Sequence, residues 1–153
     1  MVPLQLDEVL QAALIAVKPL SEGRSIEWSI GALPALQGHA GLLQQAFANV
    51  LGNAIKYTSA RQGARISVAA QLRPNGGHEI VFADNGAGFD PKHADQLFKP
   101  FRRLHTADEF VGEGMGLANV RRIVERHGGT VAARGRLGEG ASFTIVFPPQ
   151  PAT

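Results

Sequence analysis

Leu42-Leu-Gln-Gln-Ala-Phe-Ala-Asn49-Val-Leu-Gly-Asn53-Ala-Ile-Lys56-Tyr57-Thr58 is the stretch on which the fold turns. Phe47, Val50, Leu51 and Ala54 recur at helical spacing, and Leu43 extends the same stripe. The pattern predicts an amphipathic helix over residues 42–58. Its opposite face carries Asn49 and Asn53, four residues apart, then Lys56, with Gln45 one turn earlier. A solvated polar face accounts for any one of them. The combination asks for more, because surface helices favour Glu, Lys and Gln, and Asn is a weaker helix former. Amide oxygens can serve a hard cation and an ammonium can serve a phosphate. Mg2+ takes few protein ligands beside phosphate oxygens and water, so a single Asn suffices.

Working outward towards the N-terminus, Leu4 to Leu6 reads as a short strand and Asp7 as the N-cap of a helix reaching Lys18. Pro19 and Gly23 end that helix. Ile26, Trp28 and Ile30 alternate as one face of a strand, followed by a loop through Pro34 and Gly38. On the other side, strands are predicted over residues 65–72 and 79–83, joined by the turn Pro74-Asn-Gly-Gly77. A short helix over residues 91–97 and a polar stretch to Gly112 come next. Leu117, Val120, Ile123, Val124 and His127 mark a second amphipathic helix, stopped by Gly128-Gly129, with His127 placed to meet the helix dipole. Strands over residues 131–134 and 142–147 close the pattern. Strands with helices interposed predict an α+β fold: a two-layer sandwich, with about five mostly antiparallel strands in a mixed sheet and about three helices on one face.

The chain has 153 residues and a mass of 16.2 kDa, the size of one domain. The expectation is a single domain over residues 1–153, with a core over 4–148 and a frayed tail over 149–153. Fifteen Lys and Arg against thirteen Asp and Glu leave a net charge of +2, too small an excess to point to a nucleic-acid partner. The absence of cysteine excludes disulfides, thiolate zinc sites and cysteine nucleophiles. The longest apolar run, Ala12 to Val17, is far shorter than the roughly 18 residues of a membrane span. A cytoplasmic domain without direct membrane contact is expected. Glycine is the outlier: there are 18, well above the roughly 7% of average proteins.

Three glycine clusters carry chemistry. Asp84-Asn-Gly86-Ala-Gly88 ends a predicted strand, where a carboxylate can accept a hydrogen bond from an amino group such as adenine's. Its glycines are expected to let a flat ring approach the backbone. Gly112-Glu-Gly114-Met115-Gly116-Leu117 opens the second helix, with N–H groups free for an anion. It is not the dinucleotide fingerprint, because its third glycine comes one residue early and no strand precedes it, nor a P-loop, because no Gly-Lys pair exists in the chain. Gly138-Glu-Gly140 reads as a hairpin turn, and Ser142 just beyond is placed to orient Asp84 or a bridging water.

Taken in order, these features resemble the ATP-binding catalytic domain of sensor histidine kinases, within the wider family of gyrase, Hsp90 and MutL type ATPases and their Bergerat fold. The likeness spans Leu4 to Pro148. Residues 45–58 resemble the N box, which implies Asn53 as the Mg2+ ligand, Asn49 and Lys56 near the ATP phosphates, and Tyr57 against adenine. Residues 84–88 resemble the G1 box, with Asp84 reading the adenine amino group. Phe98-Lys-Pro-Phe101-Arg102-Arg103 resembles the F box, with Arg102 and Arg103 available to phosphate or a partner. Residues 112–117 resemble the phosphate-cradling G2 box, and Gly138 to Phe143 the G3 box. Residues 26–31 and 98–105 further resemble the bacteriophytochrome-like branch.

The resemblance implies transfer of the ATP γ-phosphoryl group to a histidine on a separate helical dimerisation domain, for relay to a response regulator receiver domain. The chain is expected to be monomeric and not competent alone. None of its five histidines lies in a His-Glu-Leu-Arg-Thr-Pro context, so phosphoacceptor and sensor domains are expected outside it. Asn49 stands where hydrolytic relatives carry a water-activating Glu, which disfavours hydrolysis. A serine kinase or ATPase of the same type, or a nucleotide-responsive module without catalysis, are the alternatives. The stretch 102–111 is expected to be mobile without nucleotide.

Overall fold

The computed structural model describes residues 1–98 and 116–149, apart from the side chains of 93–96. Its elements run β1 (Val2–Gln5), α1 (Leu6–Val17), β2 (Ile26–Ile30), β3 (Ala35–Gly38), α2 (Ala40–Tyr57), β4 (Ala64–Leu72), β5 (His78–Asp84), α3 (Gly116–Arg126), β6 (Thr130–Arg136) and β7 (Gly140–Phe147). Short 3-10 turns lie at Lys18–Ser21 and Pro91–Phe98, the latter where a short helix was expected. The sheet order is β2-β4-β5-β7-β6. Its β2–β4 pair is parallel and its other three pairs are antiparallel.

Alternation along the strands decides which face meets the helices. Ile66, Val68, Ile80, Phe82, Phe143, Ile145 and Phe147 are all buried on one face. Against them pack Leu43, Phe47, Val50 and Leu51 of α2, Val120 and Val124 of α3, and Leu6, Leu10 and Ala13 of α1 in a single core. The Phe47 and Phe82 rings, 5.4 Å apart, join helix layer to sheet. This is the expected two-layer sandwich with three helices and a mixed five-stranded sheet.

Two local expectations are corrected. Residues 35–38 form β3, not loop, because they pair antiparallel with β1 from Val2↔Gly38 to Gln5↔Ala35 in a separate ribbon. Asp7 is not an N-cap: α1 begins at Leu6, after Gln5. The Asp7 carboxylate instead accepts a hydrogen bond from the Leu33 N–H at 2.8 Å and so fixes the turn before β3. His127 sits at the end of α3 as expected, and its ring also ties that end to the start of α2. Its buried ring accepts the His39 N–H on Nε2 at 3.0 Å, and Nδ1 lies 2.8 Å from the Ile123 carbonyl. A backbone N–H can only donate, so Nε2 holds the lone pair and Nδ1–H donates to Ile123. The tail beyond Pro149 and the stretch 102–111 lie outside the described residues. Among the described residues no helix is long and apolar enough to cross a membrane.

Candidate functional site

The apolar stripe of α2 is consumed by the core, which turns Asn49, Asn53, Lys56 and Tyr57 to its half-buried flank. Asn49 donates from its amide nitrogen to the Gly116 carbonyl at 3.2 Å, tying this face to the first residue of α3. Leu117, one residue on, is buried in the core and holds that helix end in place. Thus the polar face of α2 and the N-terminus of α3 adjoin. Gly112, Gly114, Met115, Arg102 and Arg103 lie outside the described residues.

Asp84 ends β5 directly opposite Ala141 of β7. It lies two residues beyond Phe82 in the strand and therefore points to the same, helix side of the sheet. Its carboxylate accepts the Gly86 N–H at 2.8 Å, closing a tight turn. Burial pushes the carboxyl up to about 6 from 3.8, against the opposing pull of backbone hydrogen bonds from Gly86 and Ala141. A partly buried acid whose bonds come from the backbone keeps acceptor capacity for a ligand. Ser142 does not serve it. The register sets Ser142 opposite Ala83, so its side chain faces the other side of the sheet.

The turn after Asp84 is fastened on three sides. Ala87 N–H donates to the Tyr57 carbonyl at 2.9 Å, and Gly138 N–H donates to the Ala87 carbonyl at 2.7 Å. Asn85 accepts the Arg65 N–H and donates to the Gly63 carbonyl, both at 2.8 Å. Gly86 and Gly88 are needed by these fastenings, whatever they also allow a ligand. A Cβ on Gly86 would meet the Tyr57 backbone, with its carbonyl carbon 2.7 Å away, and one on Gly88 would meet the Gly140 carbonyl at 2.7 Å. Gly88 also has φ +66°. Residues 136–140 are the hairpin turn between β6 and β7, as their glycines predict, and this turn also docks on the one after Asp84.

Two side chains that sequence reasoning missed complete the arrangement. Arg61 donates to the carbonyls of Gly86, at 3.4 Å, and Gly138. Arg24 donates to the last carbonyls of α2. Each is a lone arginine in a turn, with no periodicity or motif to mark it. The groove of about 530 Å3 between β1, α1, β3 and the start of α2 lies apart from this site, and among the described residues Glu8 is its one charged lining residue.

Among the described residues no three His, Asp or Glu side chains group to hold a metal. The half-buried Asn53 amide on the α2 flank is an oxygen donor suited to a hard cation that draws its other ligands from phosphates and water.

A helical layer over a mixed sheet, with an amide-bearing helix flank beside a carboxylate at a strand end, defines the class of GHKL-type α/β sandwiches. Residues 38–151 match the sequence profile of the histidine kinase-, DNA gyrase B- and HSP90-like ATPases, and the chain belongs to that family. It is 40% identical over 118 residues to cyanobacterial phytochrome A of Nostoc sp., covering 76% of this chain and 15% of that protein. It is 35% identical over 151 residues to the phosphate regulon sensor protein PhoR of Pseudomonas aeruginosa, covering 96% of this chain and 33% of that one. The chain thus spans a third or less of these relatives. The mycobacterial sensor histidine kinase MprB superposes with a TM-score of 0.82 at 27% identity, over 98% of this chain and 99% of that one. Full-length ShkA in complex with AMPPNP superposes with a TM-score of 0.78 at 29% identity, over 99% of this chain and 31% of that one. The relatives are sensor histidine kinases, phytochromes among them, and the chain is a domain of the histidine kinase catalytic type.

Proposed function

We propose that this chain is the ATP-binding catalytic domain of a two-component sensor histidine kinase. It would pass the γ-phosphoryl group of ATP to a histidine on a separate helical dimerisation domain, for relay to a response regulator receiver domain. The observation that carries the reading is the Asp84 carboxylate, partly buried at the end of β5 on the side of the sheet that α2 covers.

In this reading Asp84 accepts the exocyclic amino group of adenine, and Tyr57 packs against the ring. Lys56 and the backbone around Gly112, Gly114, Met115, Gly116 and Leu117 neutralise the phosphates, which is most of what phosphoryl transfer asks of a protein. Asn53 would hold Mg2+, which when bound supplies charge neutralisation at the phosphate oxygens. In the transfer, an imidazole nitrogen of the partner forms a bond to the γ-phosphorus as the bond to the β,γ-bridging oxygen breaks, and ADP departs. Arg102 and Arg103 would contact phosphate or the partner domain. The domain would work in the cytoplasm, as a monomer until it meets its partner.

Hydrolysis is disfavoured by Asn49. Its amide is engaged with the Gly116 carbonyl and, unlike a carboxylate, cannot take a proton from water. Mixing the domain with a histidine-bearing dimerisation domain and labelled ATP should place acid-labile, base-stable phosphate on that partner, and Asn53→Ala should abolish it. Steady phosphate release by the chain alone would instead support an ATPase. Transfer to a serine-bearing protein would support a serine kinase, and ATP binding without any transfer a nucleotide-responsive module.

A further inference from the structure

Arg24 lies in the turn before β2, outside every motif of the sequence, yet its guanidinium closes the end of α2. Nη1 donates to the Ile55 carbonyl at 2.5 Å, and Nη2 donates to the Thr58 carbonyl at 2.8 Å and the Thr58 hydroxyl at 3.1 Å. The last carbonyls of a helix have no partner within it, and they carry its negative dipole end. A planar fork with a fixed charge suits both needs in a way that an ammonium does not. Thr58 is itself fully buried, and its hydroxyl donates back to Ala54 and Ile55.

Between the two carbonyls that Arg24 holds sits Tyr57, whose own carbonyl accepts the Ala87 N–H. One peptide therefore sets the distance between the end of α2 and the turn that follows Asp84. The Gly86 backbone packs so closely on that same carbonyl that a methyl group does not fit between them. Any shift of the last turn of α2 is passed directly to residues 85–88.

We propose that Arg24 is a positioning residue for the adenine end of the site: by clamping the last turn of α2 it fixes where Tyr57 holds the turn 85–88, and hence the opening onto Asp84. This rests on the nucleotide reading above. The consequence is specific. Loss of the clamp should blur recognition of the base and spare most of the phosphate end, which draws on Asn49 and the start of α3 as well as on Lys56 in the clamped turn.

The test compares the chain with Arg24→Met and Arg24→Lys by calorimetric titration with ATP, GTP and tripolyphosphate, alongside circular dichroism melts. GTP carries a carbonyl where ATP carries the amino group, so the ATP-to-GTP affinity ratio reads the Asp84 pocket. The expected result is at least a tenfold loss of ATP affinity in Arg24→Met with a falling ATP-to-GTP ratio and a several-fold smaller loss of tripolyphosphate binding. Arg24→Lys, which keeps charge but not the fork, should fall between. Equal losses for all three ligands, no loss, or failure of both variants to fold would each overturn the positioning role. Absence of ATP binding by the unaltered chain would overturn the nucleotide reading itself.

Discussion

Asp84 combines binding and instability in one side chain. Its folded-state value of about 6 lies above the ordinary 3.8, so folding favours the protonated form. Its contribution to stability is therefore fully present below about pH 4 and is lost as pH rises through 6, a change of about 2–3 kcal/mol. Relative to the unaltered chain, Asp84→Asn should gain that amount between pH 4 and pH 7 in urea denaturation. If the stability difference stays flat with pH, the carboxyl is not held where burial places it. Binding has the opposite sign: a protonated acid accepts poorly from an amino group, so ADP affinity should fall as pH drops from 7.5 to 5. That loss should vanish in Asp84→Asn. Gly88 makes the other prediction at this scale. Its positive φ and the carbonyls around it leave no space for a side chain, so Gly88→Ala should cost about 3 kcal/mol or more in chemical denaturation. A cost below 1 kcal/mol would mean that the backbone contacts do not require a glycine there. The sequence marked both residues as functional but gave no sign of the packing role of the glycine, because its closest neighbour, the Arg136 carbonyl, is 48 positions away along the chain.

Among the helices, α2 and α3 are joined at both ends. Asn49 reaches the first residue of α3, and His127, just past its last, accepts the N–H of His39 at the start of α2. The His127 ring also stands edge-on to Phe147 at 6.3 Å, so it belongs to the core as much as to the helix end. His127→Ala would strand the His39 N–H and open a gap, and should cost about 2–4 kcal/mol of unfolding free energy. His127→Gln, which can restore an acceptor, should recover part of it; equal losses would show that packing alone matters. Periodicity read both helices within two or three residues, since the stripe of α2 is a local pattern. Which side chain caps which end was not readable: Asp7 looked like a cap and is a loop anchor, while Arg24 looked like nothing and closes α2.

At the scale of the whole molecule, one core touches all three helices and the five-stranded sheet. Phe82, 2% exposed and packed on Phe47, is near its middle. Phe82→Ala should lose about 3–5 kcal/mol. Sheet signal and aromatic signal should still melt together, because among the described residues no element has a separate core to fall back on. Two separated transitions would contradict a single cooperative unit.

By itself the sequence determined the helix stripes, the alternating strands, the glycine turns and the two-layer class, and with them the family resemblance. All of these are carried by residues within a few positions of one another, where period and turn chemistry act directly. Only the tertiary structure decided that residues 35–38 are a strand, that Ser142 faces away from Asp84, and that backbone packs against the glycines after Asp84. It alone showed that Arg24 and Arg61 grip the site. Those outcomes depend on register and on contacts between segments tens of residues apart. Such partners are chosen when the sheet pairs and the core closes, and no local pattern encodes them.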